Sequence, residues 1–240
     1  MDEDLHTINA QMTQIPSTIL YIFNLPIPEG LPSPVLEIQN NKVERVVLIV
    51  LDNFGLFEIV VHKPEFIINN LESLLLLETA NPHTIPVLHQ IVYGDLEKEE
   101  FNLLKYLNLH NKSTIVIGNG NEVKTFTEGT EMINSSGDMT TWIQGSKILN
   151  KRDLIWLNFQ DFESLYQRSI IYKKSPPDNL IQRLIYRTDK WLLGMFKQLR
   201  ENSLFIILGN HGKKTIEMNL TGKYAEWRKA SLPIAIICRK

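Results

Sequence analysis

Five segments of the chain are continuous runs of apolar residues, each bounded by polar or turn-forming residues. Apolar and polar positions do not alternate within them, as they would in a strand with one face in water. Unbroken apolar runs of this length are typical of strands that helices cover on both faces. The predicted strands are 45–51, 113–118, 153–159, 203–208 and 232–238.

Segments in which apolar residues recur at helical spacing separate these strands. In the longest of them, 177–201, Pro177 suits the first turn, and apolar residues from Leu180 to Leu199 form one stripe. The alternation of strands and helices predicts an α/β fold, with a mostly parallel sheet and helices on both of its faces. The other predicted helices are 64–77, 86–93, 98–108 and 138–149.

Residues 1–44 are less regular than the rest of the chain. The segment 17–23, STILYIF, has the composition of a strand, and the proline-rich connection LPIPEGLPSP follows at 25–34. We therefore predict an N-terminal extension over 1–44 that packs on a single α/β domain over 45–240 and can supply an edge strand.

Composition and charge restrict the kinds of partner. The chain is 43% hydrophobic and has a net charge of −2, which gives no electrostatic reason to expect nucleic acid or an anionic membrane as a partner. Cys238 is the only cysteine, so an internal disulfide is excluded. The first residues, MDEDLHTINAQ, lack the regions of a signal peptide, and no apolar run is long enough to span a bilayer. We expect a cytoplasmic protein.

Polar side chains follow two of the predicted strands. Asp52 comes directly after 45–51, and Asn210 and His211 come shortly after 203–208. Because the carboxyl ends of parallel strands meet at one edge of a sheet, where ligands bind in open α/β folds, we expect these side chains to lie close together. Aspartate is also a common helix cap, which is the alternative interpretation of Asp52.

Taken in order, these segments resemble the alkaline phosphatase superfamily, most closely its phosphodiesterase and cofactor-independent phosphoglycerate mutase-like branches. The family pattern opens with a strand ending in D-G-x-G, here 52–55, and continues with a T-x-P turn, here 84–86. A long helix then carries an aspartate in its middle, here Asp189, and a later strand ends in D-H-G, here 210–212. The resemblance covers roughly residues 45–237 and implies a truncated alkaline-phosphatase-like α/β fold.

The resemblance also implies a role for each residue at this edge of the sheet. Thr84 would be the catalytic nucleophile, since a threonine hydroxyl needs activation, for example by a metal ion. Asn53 is predicted to contact a phosphate group, and so is Lys213, because a cation directly after the N-H-G turn would replace lost metal charge. The ligands of a first metal ion, zinc or manganese, would be Asp52, Thr84, Asn210 and His211. The remnants of a second metal site would be Asp161, Glu163 and Gln167.

The chain departs from the family pattern at the metal ligands. Asn210 replaces the aspartate of D-H-G, so Asp52 is the only carboxylate left at the first site. At the second site, Glu163 and Gln167 stand where the pattern has an aspartate and a histidine, and no histidine follows His211.

Two functions remain open on this sequence. The first is a degenerate domain, a pseudoenzyme that lacks two-metal catalysis and binds a small phosphorylated ligand or a protein partner, with no metal ion bound. The second is a phosphoester hydrolase or phosphotransferase that uses Thr84 and a single metal ion. A nucleotide-binding Rossmann-like domain is a distant third, because G-x-G at 118–120 lacks the third glycine of that motif.

Overall fold

The computed structural model describes residues 7–38, 43–79, 81, 83–171, 176–210 and 232–239. These residues form one sheet of eight strands with helices packed on both faces. The strands are Thr7–Gln11 (β1), Arg45–Leu51 (β2), Ser73–Glu78 (β3), Thr114–Gly118 (β4), Glu131–Asn134 (β5), Leu154–Phe159 (β6), Ser203–Gly209 (β7) and Leu232–Arg239 (β8).

The helices differ widely in length. Of those in the described ranges, none is both long enough and apolar enough to cross a lipid bilayer. Two short 3-10 turns, Met12–Gln14 and Lys124–Phe126, accompany them. The α-helices are Ile15–Ile22 (α1), Leu56–His62 (α2), Glu65–Asn70 (α3), Thr84–Tyr93 (α4), Leu103–Leu109 (α5), Gly120–Val123 (α6), Asp138–Ile148 (α7), Asp161–Ile171 (α8) and Asp178–Gln198 (α9).

The strands lie in the order β1-β3-β8-β7-β2-β6-β4-β5. Neighbouring strands are parallel except at β8, which runs antiparallel to both β3 and β7. The predicted α/β fold with a mostly parallel sheet is therefore confirmed. Because β2 lies between β7 and β6, the carboxyl ends of these three strands are adjacent, and they carry most of the predicted site residues.

Two apolar layers enclose the sheet. Leu48 of β2 faces the layer that includes α1, α4 and α5, whereas the next residue, Ile49, faces the layer that includes α2, α3, α8 and α9. Every residue of β2 from Val46 to Leu51 is buried. Burial on both faces explains why this strand is an unbroken apolar run in the sequence.

Two segments fold differently from their prediction. The helix predicted over 64–77 is wrong beyond Asn70, because α3 ends there and Ser73–Glu78 forms strand β3. The leucines of β3 form an unbroken run, and periodicity cannot distinguish such a run from a buried helix. The segment 17–23, predicted as a strand, lies mostly in α1, where Pro16 occupies the first turn.

The N-terminal segment is joined to the same sheet and core. Strand β1 pairs in parallel with β3 at the edge of the sheet, so the edge strand lies before α1 rather than at 17–23. The buried face of α1 belongs to the apolar layer that covers β2. The helix predicted over 98–108 begins only at Leu103, because the Asn102 side chain accepts the Lys105 N–H and caps it there.

Asp189, in the middle of α9, holds the first turn of α3 in place. Its buried carboxylate accepts the backbone N–H of Phe66 at 2.7 Å and that of Ile67 at 3.2 Å. Burial raises the pKa of Asp189. The aspartate that the family pattern has in its long helix is therefore a helix cap in this chain.

Replacing Asp189 with alanine is expected to lower the free energy of unfolding by about 2–4 kcal/mol, because two buried N–H groups lose their acceptor. Urea denaturation followed by circular dichroism measures the change. Asp178→Ala, at an exposed position in the first turn of the same helix, is the matched control and should cost less than about 1 kcal/mol. Equal losses in the two variants would contradict the capping role.

Candidate functional site

Asp52 lies at the carboxyl edge of the sheet, directly after β2. Its backbone N–H donates to the carbonyl of Phe159 at the end of β6, and the Asn210 N–H donates to the carbonyl of Leu51. Parallel pairing of β2 with both neighbours therefore carries the residues that follow β6 and β7 to either side of Asp52. The side chain of Asp52 is fully buried.

Thr84 and Asn210 converge on one oxygen atom of Asp52. The Thr84 hydroxyl donates to Oδ1 of Asp52 at 3.0 Å, and Nδ2 of Asn210 donates to the same atom at 2.7 Å. Oδ1 of Asn210 accepts the backbone N–H of Asn53 at 3.0 Å. Because a backbone N–H can only donate, this contact fixes the orientation of the Asn210 amide, with its NH2 group towards Asp52.

Asn53 connects this group to α8. Its backbone is left-handed, with φ of 59°, a conformation that asparagine tolerates better than most residues. Its Nδ2 donates to Oε2 of Glu163 at 2.9 Å, and Nε2 of Gln167, one turn further along α8, donates to Oε1 of Glu163 at 2.8 Å. The Asp52 cluster is defined here as Asp52, Asn53, Thr84, Glu163, Gln167 and Asn210.

The structure separates the predicted site residues into three groups. Six of them form the Asp52 cluster. Asp161, predicted as a remnant of a second metal site, instead contacts Arg187 at 2.5 Å through its carboxylate. His211 and Lys213 lie outside the described residues.

Thr84 is the first residue of α4, and Pro86 lies in the first turn of that helix. Proline is favoured there, because its missing N–H would have no partner within the helix. The half-buried Thr84 side chain points back to Asp52, so the start of α4 is attached to the end of β2.

Glu58 is a buried carboxylate that belongs to none of the sequence motifs described above. It is fully buried in α2, and its Oε2 accepts the backbone N–H of Gly55 at 2.8 Å. The hydroxyl of Tyr166 lies 3.4 Å from Oε1, and burial, followed by the negative charge of Glu58, raises the pKa of Tyr166. Glu58 therefore closes the turn that follows Asp52, as glutamate does in a capping box. The spacing of Gly55 and Glu58 was the signal for it in the sequence.

Asp138 is a second buried carboxylate missed in the sequence. It accepts the backbone N–H of Gln160 at 2.6 Å and that of Asp161 at 3.1 Å, and so caps α8 from outside that helix. Burial, and then the negative charge of Asp161, raises the pKa of Asp138 to about 7. Since α8 carries Glu163 and Gln167, Asp138 positions one side of the Asp52 cluster.

Comparison with known proteins supports the fold assignment. The sequence matches no protein-family model, and no similar sequence was found among curated proteins. The C-terminal periplasmic domain of EptC from Escherichia coli, in complex with zinc, superposes with a TM-score of 0.58 and 12% identity over 83% of this chain and 74% of that one. A protein in the alkaline phosphatase superfamily from Vibrio parahaemolyticus also has a TM-score of 0.58, with 12% identity over 83% and 61%.

A third similar structure is murine ectonucleotide pyrophosphatase/phosphodiesterase 5, with a TM-score of 0.54 and 12% identity over 70% of this chain and 57% of that one. This chain therefore has the fold of the alkaline phosphatase superfamily, as its motifs predicted. At identities this low, the similarity establishes the fold alone.

Neutral donors face the carboxylates of the Asp52 cluster. Oδ1 of Asp52 accepts from a hydroxyl and an amide, both oxygens of Glu163 accept from amides, and the carbonyl of Asn210 is turned to the backbone of Asn53. Divalent cations would need these oxygen atoms as ligands. In the described ranges, no three His, Cys, Asp or Glu side chains are grouped to hold a metal ion. The described members of the predicted ligand set are thus joined to one another by hydrogen bonds, and His211, the remaining member, lies outside the described residues.

Proposed function

We propose that this chain is an alkaline-phosphatase-like domain that has lost two-metal catalysis and serves in binding or regulation. The observation that supports this proposal is the amide of Asn210, which donates to Asp52 and accepts from the backbone of Asn53. Its orientation follows from the direction of these hydrogen bonds.

The charge of the side chain at position 210 decides what can hold this edge of the sheet together. Two carboxylates that face each other at hydrogen-bond distance repel and need a cation or a shared proton between them. A neutral amide needs neither, because its NH2 group donates directly to the carboxylate. The ends of β2 and β7 are then joined without a metal ion.

The same kind of replacement occurs on α8. Gln167, at the position that has a histidine in the family pattern, donates its amide to Glu163, and Asn53 donates to the other oxygen. Neutral amide donors therefore occupy positions at both predicted metal sites. Two such replacements favour a binding domain without catalysis over a metal-dependent phosphoester hydrolase.

The proposed ligand is a small phosphorylated molecule or a protein partner, bound at the carboxyl edge of the sheet. Open α/β folds bind their ligands there, since the loops that follow the strands converge at that edge.

A phosphoesterase assay tests the loss of catalysis. With zinc or manganese present, the chain is expected to hydrolyse 4-nitrophenyl phosphate and bis(4-nitrophenyl) phosphate no faster than its Thr84→Val variant. Valine has nearly the same shape as threonine but lacks the hydroxyl that would attack phosphorus. Turnover that depends on metal and is lost in Thr84→Val would contradict the proposal.

One observation favours a second candidate, a phosphoester hydrolase that uses Thr84. The hydroxyl of Thr84 donates to Asp52 at 3.0 Å, so a carboxylate orients the potential nucleophile. This candidate predicts that turnover, where present, is lost in both Thr84→Val and Asp52→Asn. A variant at the exposed Ile85, next to Thr84, is the matched control and should keep it.

A further inference from the structure

A groove of about 390 Å³ lies between α8 and α9. Six of its eight described lining residues are arginines or leucines, of which Arg168 and Leu165 belong to α8 and the other four to α9. The three arginines are Arg168, Arg183 and Arg187, and the three leucines are Leu165, Leu180 and Leu184. The groove is therefore both cationic and apolar, on a chain whose net charge is −2.

Two of these arginines are available to a ligand. Arg168 and Arg183 are exposed, and within the described residues neither forms an ion pair. Among the described residues of the lining, Asp161 is the only acidic one, and it already contacts Arg187 at 2.5 Å. No described carboxylate of the groove therefore neutralises the positive charge of Arg168 and Arg183.

The third arginine is held in a fixed position. Arg187 lies 3.7 Å from the buried carboxylate of Asp138, and its guanidinium group stacks over the ring of Trp191 at 4.4 Å. Trp191 in turn stacks on Trp142, with ring centroids 5.1 Å apart. A guanidinium group that is already ordered loses little conformational entropy when a ligand binds beside it.

The apolar part of the groove runs along α9. Leu180 is 41% exposed, and Leu184, one turn further, is half-buried, as is Leu165 on the facing helix. Arg183 and Arg187 are also one turn apart, so an apolar row and a cationic row follow the same helix. From 180 to 187 the groove extends for about 10 Å, or two helical turns.

We propose that this groove binds an acidic amphipathic helix of a partner protein. Leucines on the partner would cover Leu165, Leu180 and Leu184, and glutamates or aspartates beside them would meet Arg168 and Arg183. An apolar centre with a charged rim is the usual arrangement of such an interface, and arginine clusters recognise acidic segments. The inference does not depend on the Asp52 cluster.

Fluorescence anisotropy with a labelled peptide tests this proposal. The probe is a helical peptide of about 14 residues, with leucines at i, i+3, i+4 and i+7 and glutamates beside them. We expect saturable binding that weakens about tenfold when NaCl rises from about 50 mM to about 500 mM. Peptides with glutamine in place of glutamate, or serine in place of leucine, should each bind about tenfold more weakly.

Variants of the chain locate the peptide. The double variant Arg168→Glu/Arg183→Glu should lose binding of the acidic peptide about a hundredfold and gain binding of the peptide with lysine in place of glutamate. Leu180→Ser, which keeps the charge, should weaken binding of the acidic peptide about tenfold. The control is Lys151→Glu/Arg200→Glu, which makes the same charge change at exposed positions next to the amino ends of the strands and should leave binding unchanged.

Three outcomes would overturn the proposal. In the first, the acidic peptide does not bind. In the second, it binds the Arg168→Glu/Arg183→Glu variant as tightly as the original chain. Finally, inorganic phosphate or phosphatidylserine vesicles could bind through these arginines while the peptide does not, which would make the groove a site for small anions or lipid. Unchanged circular dichroism and melting temperatures would establish that the exposed substitutions leave the fold intact.

Discussion

Replacing Asn210 with aspartate is expected to lower the free energy of unfolding by about 3–5 kcal/mol at neutral pH, because a buried carboxylate would face Asp52 in place of a donor. Nδ2 of Asn210 lies only 2.7 Å from Oδ1 of Asp52, so the introduced charge would lie in direct contact with it. The loss should become smaller below about pH 5, where the two carboxyl groups can share a proton. Zinc or manganese should also reduce it, by bridging the two carboxylates.

Thermal unfolding with and without added metal measures this effect. Asn210→Ala is the matched control, since it removes both hydrogen bonds of the amide without adding charge. This variant should lower the free energy of unfolding by about 1–3 kcal/mol. The loss should not change when metal is added and should change little with pH. If metal and pH change the stability of Asn210→Asp no more than they change that of Asn210→Ala, the amide of Asn210 does not substitute for a metal ion.

The stability of the chain is expected to fall as pH rises from about 4 to about 8, by up to about 4 kcal/mol from Asp138 alone. Burial raises the pKa of Asp138 from 3.8 to about 7 in the folded chain. A raised pKa means that the folded state holds the proton more tightly than the unfolded state. Its contribution to stability is therefore complete below pH 3.8 and is lost as pH rises through about 7.

Urea denaturation of the chain and of Asp138→Asn, across this pH range, isolates the contribution. Asparagine cannot ionise, yet it can still accept one of the two N–H bonds from the start of α8. Between about pH 5 and about pH 8, the original chain should lose about 2–3 kcal/mol relative to the variant. Parallel pH profiles of the original chain and Asp138→Asn would contradict the raised pKa.

The central part of the fold could be predicted because its strands are buried on both faces. Continuous apolar runs identified β2, β6 and β7 almost to the residue, and parallel pairing of these strands then brought Asp52 and Asn210 together. The T-x-P turn singled out Thr84, and the structure places its hydroxyl in hydrogen-bond contact with Asp52. In these cases, a local pattern in the sequence carried the information.

Other features depend on contacts between distant segments. The four leucines of β3 form a strand because β1 and β8 flank them, and nothing in the run itself distinguishes a strand from a helix. Asp138 and Asp189 each cap a helix other than their own, over separations that no spacing rule covers. The groove between α8 and α9 likewise requires knowing which faces of the two helices meet.

Calorimetric titration of the purified chain with zinc and then manganese tests the central claim most directly, namely that hydrogen bonds have replaced metal coordination in the Asp52 cluster. Asp52→Asn, which keeps the shape of the side chain but removes its charge, is titrated in parallel. We predict no saturable binding that differs between the two proteins. Binding near one equivalent that is lost in Asp52→Asn would contradict this account and make the metal-dependent use of Thr84 the better explanation.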